Sequence, residues 1–153
     1  MQSIHPQLSS RRSWSFGGPT VLCAVGSAVV VVCLYFLAWW PSDFDETRFL
    51  DVRSDFTSSD SGNWFDVFWT SFYSVGHVFT LAAAILAPLF VERRGRAQFV
   101  SGLVVIGAIW QVVAVKGATL INTTAVPLAG PIVGGLVVLA AIVWSRAKNA
   151  AEA

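Results

Sequence analysis

Four stretches of this chain run without a single charged side chain: residues 20–40, 67–91, 97–115 and 117–145, which is 21, 25, 19 and 29 positions. About 20 apolar residues in a helix cross the hydrocarbon core of a bilayer, so each stretch is long enough to span. The fourth is interrupted by Pro127 and Pro131. Composition points the same way. The 153 residues are 55% hydrophobic and 12% charged, roughly half the charged fraction of an ordinary soluble domain. Nucleic-acid binding, a disulfide-stapled secreted fold and a soluble enzyme are excluded. The expected fold is an all-α polytopic membrane protein, with four transmembrane helices in one bundle.

The few charges are sorted by side. Seven of the ten basic residues are Arg11, Arg12, Arg93, Arg94, Arg96, Arg146 and Lys148, in the two tails and the loop after the second run. Seven of the nine acids lie between the first and second runs: Asp43, Asp45, Glu46, Asp51, Asp55, Asp60 and Asp66. Lys and Arg near span ends set orientation, so both termini and the 92–96 loop are expected in the cytoplasm. This divides the chain into a tail at 1–18, a transmembrane domain at 19–145 and a tail at 146–153. The spans fall at about 20–40, 66–91, 97–117 and 126–145, with an extracytoplasmic segment at 41–65. The expected location is the plasma or inner membrane, crossed several times.

Ser10-Arg11-Arg12-Ser13-Trp14 followed by an apolar run looks like a twin-arginine export signal. A cleaved signal has a shorter apolar region and a small-x-small site. Here the run ends Ala38-Trp39-Trp40-Pro41, so an uncleaved helix is expected, with the Trp pair in an interfacial aromatic belt. Cys23 and Cys33, ten residues apart in that helix, are expected to be small apolar fillers. Segment 41–65 alternates acids with Phe44, Phe49, Phe56, Trp64 and Phe65. Phe49, Val52 and Phe56 fall at i, i+3 and i+7, a short amphipathic helix, before a turn at Ser58–Asn63. The expectation is a solvated loop lying on the headgroups through its aromatics, with no metal bound by its acids.

His77 is the most informative polar residue. It is the eleventh position of a 25-residue run, about 16 Å below the outer end at 1.5 Å per residue, and so near the midplane. Thr70, Ser74 and His77 share a helical face, with Tyr73 one turn above. Ionisable residues at this depth face the bundle interior and are candidates for function. Three readings stand. His77 is packing glue hydrogen-bonded across helices, or a haem axial ligand, or a contact for a proton or substrate. The only other histidine is His5, so bis-His haem ligation requires a partner chain; without one, no cofactor is expected.

Further along, Gln111 shares a face with Gly107 and is expected to bond across helices, and Lys116 is expected to snorkel to the outer edge. Gly130 and Gly134 give a small-xxx-small packing face. Pro131 fits a first helical turn, unless the helix begins nearer Thr124. Asn122-Thr123-Thr124 matches a glycosylation acceptor placed too close to the membrane to carry weight. The Ala-rich end, 147–153, is expected to fray.

Over about residues 20–124 the order of features resembles a known family. A membrane helix and an outer amphipathic segment lead to Asn63-Trp64-Phe65-Asp66, which opens a second helix. The turn Glu92-Arg93-Arg94-Gly95-Arg96-Ala97 comes next, then a helix running into Val115-Lys116. This looks like the N-terminal half of membrane phosphatases of the phosphatidic-acid-phosphatase type 2 superfamily. The resemblance implies a phosphate-gripping role for Lys116 as the first residue of a Lys-x6-Arg-Pro motif. The chain departs from it at Thr123-Thr124, where Arg-Pro is wanted. Pro127-Leu128-Ala129-Gly130 stands where Pro-Ser-Gly-His would be, and the final motif with the histidine nucleophile is absent. Ser74-Val75-Gly76-His77 echoes that motif out of order and is not carried over.

Without a positioned nucleophile and clustered cations, phosphoryl transfer has no machinery here. The expected function is a non-catalytic accessory or scaffold subunit. Its partners are the lipid bilayer and a membrane protein or a second copy, not nucleic acid. The alternatives are a lipid-phosphate-binding relative of the phosphatases through Lys116, and a redox-complex anchor through His77.

Overall fold

The computed structural model describes residues 17–40, 47–51, 53, 64–118 and 125–152. Helix α1 is Gly18–Tyr35, followed by strands β1 (Ala38–Trp40) and β2 (Thr47–Arg48). A helical turn at 49–51 and 53 comes next. Helix α2 (Trp64–Ser71) continues through a π-turn (Phe72–Gly76) into α3 (His77–Phe90). A 3-10 turn (Gly95–Gln98) leads to α4 (Phe99–Ala118), and α5 is Ala125–Ala151. Four helices are long and apolar enough to cross a membrane: Gly18–Tyr35, Phe72–Phe90, Gly95–Lys116 and Leu128–Ala151. The chain is an all-α four-helix bundle. Its only strands among the described residues are β1 and β2, paired antiparallel.

Around the bundle α1 contacts α5 and α3, while α4 contacts α3 and α5; the closest association is α1 with α5. Glycine makes that approach possible. A Cβ on Gly134 would lie 2.7 Å from the Gly26 carbonyl oxygen, and one on Gly26 would lie 2.7 Å from that of Gly134. In lipid no hydrophobic force drives helices together, so close backbone packing of small residues is what holds them. A Cβ on Gly130 would run into Cys33. The Gly130 and Gly134 face of α5 is therefore packed inside this chain, against α1.

The interior obeys the same rule. Ala83, Ala84, Ala87, Ala108 and Ala141 are buried, whereas Val21, Ile85, Leu89, Ile109 and Leu136 are exposed. Alanines at these helix contacts let the backbones approach closely, while the large apolar side chains named here face outward, an arrangement a lipid solvent favours. Gly18 lies against Trp144, Gly17 against Glu92, and Arg94 against Glu152 at 4.0 Å. Both described chain ends thus meet at the Arg-rich end of the bundle. The opposite end carries Arg48, Asp51 and Lys116.

Several boundaries differ from expectation. α1 stops at Tyr35, and Trp39 and Trp40 belong to β1 rather than to a helix end. α5 begins at Ala125, in keeping with the alternative start near Thr124, so Pro131 is inside the helix and not in its first turn. The same helix persists to Ala151 where fraying was expected. Arg94 reaches its last turn, donating to Asn149 at 3.5 Å. The paired Arg11-Arg12, the acids of 41–46, Val52, Phe56, the Ser58–Asn63 turn and Asn122-Thr123-Thr124 lie outside the described residues.

Candidate functional site

The π-turn shapes the region around His77. Its wider helical turn carries one residue more than an α-turn, and such bulges are frequent at functional sites. The His77 N–H reaches back five residues to the Phe72 carbonyl, where an α-helix would have used Tyr73. The Tyr73 carbonyl accepts instead from Arg53 Nε at 2.7 Å. The extra residue turns the helix before it by about 100° relative to the helix after it. Ser74, expected to share the face of His77, is therefore exposed, and Tyr73 is buried beside His77.

His77 is 7% exposed and sits roughly 8 Å, or five residues at 1.5 Å each, from Phe72, the first residue of its span. The Tyr35 hydroxyl, from the last residue of α1, is 2.9 Å from His77 Nδ1 and donates to the His77 carbonyl at 3.2 Å. A carbonyl cannot donate, so the single hydroxyl proton serves it. Both contacts together then require Nδ1–H as donor to the Tyr35 oxygen. Nε2 is left with its lone pair, buried and without a partner among the described residues.

Above this pair lies Phe49. Part of the 41–65 segment, which was expected to lie on the headgroups through its aromatics, it is wholly buried in the bundle. Its ring stacks on Tyr73 at 5.5 Å, meets Phe72 and Tyr35 edge-on at 6.0 and 5.9 Å, and tilts over His77 at 5.1 Å. Edge-to-face and offset aromatic pairs of this kind are favourable beyond the area they bury. The physical reason for the correction is local. Phe49 is followed by the helical turn whose Arg53 ties to Tyr73, and the Asp51 carboxylate accepts from the Arg48 N–H at 3.1 Å. Those two bonds aim Phe49 inward, and Arg48, Leu50 and Asp51 are left exposed.

Gln111 is wholly buried, and neither atom of its amide has a partner among the described residues. The bond across helices expected of it is not made. The register of α3 against α4 locates it. Tyr73 donates to the Ala114 carbonyl at 3.2 Å, a Cβ on Gly76 would meet Trp110 at 3.0 Å, and one on Gly107 would meet Thr80 at 2.6 Å. This antiparallel register sets Gln111 opposite Gly76, one residue from His77. Two helices therefore bring unsatisfied, buried hydrogen-bonding groups to one level: a lone pair on His77 and an amide on Gln111. Unmade bonds in a dry interior are costly.

The other candidates are dispersed. Lys116 is exposed in the last turn of α4 and has no partner among the described residues. Its neighbour Val115 is buried in the aromatic cluster with Phe49. Gly130 and Gly134 lie on the far side of α1. Cys23 and Cys33 are buried thiols, and no group of three His, Cys, Asp or Glu side chains that could hold a metal exists among the described residues. The polar tie at the basic end was missed from the sequence. Gln98 donates to the Val91 carbonyl at 3.0 Å and accepts from Arg146 Nε at 2.9 Å. The chain matches no protein-family model, no curated protein and no solved structure.

Proposed function

We propose that this chain is a non-catalytic accessory or scaffold subunit of the cell membrane, its Arg-rich end in the cytoplasm. The placement of charge supports the orientation, since Lys and Arg near span ends are retained inside. The observation that carries the reading is an open apolar groove along α4 and α5. It has a volume of about 240 Å³ and is lined by Ala108, Ile109, Val112, Pro131, Gly135 and Leu136, among others. Small residues at its floor allow a partner's membrane helix to approach closely, which is how helices associate in lipid.

Meanwhile the polar side chains of the spans mostly tie this chain's own helices together: Tyr35 to His77, Tyr73 to Ala114, Ser101 to the Ala87 carbonyl at 2.9 Å. Copurification in mild detergent tests the reading. Wild type is expected to retain a membrane protein that Ile109→Trp or Leu136→Trp, both on exposed positions, releases without loss of helicity. A chain that runs alone in every detergent and in native nanodiscs sinks it.

A second reading, the redox-complex anchor, draws on the lone pair at His77 Nε2. A ligating histidine usually has its other ring nitrogen hydrogen-bonded, as Tyr35 does here. Phe49 covers the ring, so a haem reaches Nε2 only if that plug moves. A Soret band in protein purified with its partners favours this reading, and a colourless complex ends it.

A further inference from the structure

On the face of the bundle opposite the α4–α5 groove, α1 and α3 part along a seam. Two hollows lie in it and share Val31 and Leu81 as walls. The upper one, about 540 Å³, is bordered by Tyr35, Phe36, Arg48, Leu50 and Asp51. The lower one, about 310 Å³, is bordered by Ala24, Ser27, Ala28, Ala84, Ile85 and Pro88. They form one groove because alanines stand where larger side chains would have closed the gap between the helices.

Its dimensions fit one molecule. From Phe36 to Ala24 the groove runs along α1 for twelve residues, about 18 Å at 1.5 Å each. One leaflet of a bilayer offers about 15 Å of hydrocarbon, half of a 30 Å core. The groove thus begins at the acidic end of the bundle and ends near mid-membrane, the depth of a single acyl chain. The walls below Tyr35 are apolar but for Ser27, so a soluble anion finds nothing there to hold it.

The rim carries both signs of charge. Arg48 and Asp51 are exposed, and their side chains make no ion pair with each other or with any other described residue. The Asp51 carboxylate is held beside Arg48 by that residue's own N–H, at 3.1 Å. The whole rim is fixed to the bundle by the buried Phe49 ring and the Arg53–Tyr73 bond. A guanidinium pairs well with a phosphate, and a carboxylate pairs with an ammonium. Placed over a one-chain groove, the two recognise a zwitterionic headgroup whose phosphate and amine are a few atoms apart.

We propose that the α1–α3 groove is a binding site for an outer-leaflet phospholipid with a phosphate and a primary amine, of the phosphatidylethanolamine type. The phosphate sits on Arg48, the amine on Asp51, and an acyl chain lies between α1 and α3. A primary ammonium has N–H donors to offer the carboxylate, whereas a trimethylated one has none, so the site selects ethanolamine over choline. An anionic glycerol headgroup meets Arg48 but is repelled by Asp51.

The test uses the full chain in nanodiscs of equal parts phosphatidylethanolamine, phosphatidylcholine and phosphatidylglycerol, with retained lipid read by native mass spectrometry. Wild type is expected to keep one ethanolamine lipid at least fivefold over either competitor. Arg48→Gln should lower total retention about tenfold, and Arg48→Lys should restore part of it. Asp51→Asn should keep a lipid but lose the preference for ethanolamine over choline. Ala28→Trp, an exposed substitution that fills the groove, should remove all three while circular dichroism stays unchanged. Equal retention by wild type and Arg48→Gln, or a preference for the glycerol lipid, overturns the proposal. So does retention that survives Ala28→Trp, which would place the lipid elsewhere. A protein helix cross-linking to Ala28→Cys in place of a lipid also overturns it.

Discussion

Arg53 donates to the carbonyl of Tyr73 at 2.7 Å, twenty residues further along the chain. That carbonyl is the one the π-turn releases, since the N–H of His77 has gone to Phe72. The segment between α1 and α2 thereby supplies the hydrogen bond that the helix gave up. A bond from a charged donor contributes about 1.5–3 kcal/mol. Arg53→Gln is therefore expected to destabilise the acidic end and to speed hydrogen exchange of the amides at 72–77 by about tenfold or more. Exchange rates there unchanged from wild type would show that the π-turn does not depend on Arg53.

Phe49 is the plug over His77, and removing a buried Phe costs about 3–5 kcal/mol. In Phe49→Ala the outer segment should undock. His77 Nε2 should then become reactive toward an imidazole-acylating reagent that leaves wild type untouched, and protease should cut the 41–65 segment sooner. Equal acylation of His77 in both proteins would mean that the ring is reached by another route.

Gly134 and Gly102 both lie in helices but in opposite circumstances. A Cβ at Gly134 falls 2.7 Å from a backbone oxygen of α1, whereas one at Gly102 meets nothing within 4 Å. Gly134→Ala should destabilise by about 1–3 kcal/mol through overpacking. Gly102→Ala should stabilise by up to about 1 kcal/mol through helix propensity. Thermal denaturation of both in one detergent decides the matter; a loss at Gly102 matching that at Gly134 would contradict the packing described.

Gln111 holds an amide in the core with no partner among the described residues. Gln111→Leu is expected to raise stability by about 1–3 kcal/mol, because it deletes two desolvated polar atoms and keeps the volume. A lower melting temperature for this variant would show that the amide has a partner in the membrane. A higher one, accompanied by loss of a copurifying protein or ligand, would mark the position as kept for function.

The four spans were legible because charge is absent over lengths that only a helix in lipid can use. His77 was legible as the one histidine within them. Its surroundings were not. Helical periodicity put Ser74 on its face, but the π-turn inserts one residue, and the choice between α and π depends on where Arg53, Phe72 and Tyr73 pack. Phe49 was read as a surface aromatic because a Phe among acids has the same pattern whether it lies on headgroups or enters a bundle. The bracketing of Phe49 by Arg48 and Asp51, with Arg53 one turn on, was the available signal. The glycines of α5 announced a close contact but not its address, which Gly26 of α1 supplies.

That address bears on how the molecule is made. The earliest of the four spans to be synthesised finds its closest neighbour in the latest of them, Gly26 against Gly134. Until α5 leaves the ribosome, α1 carries an unfilled notch along one side and the bundle is an open arc of three helices. The ring closes only once α5 has been made. A chain cut short before Gly134 would be left with α1 unclasped, open to whatever quality-control factor or stray helix meets it in the bilayer.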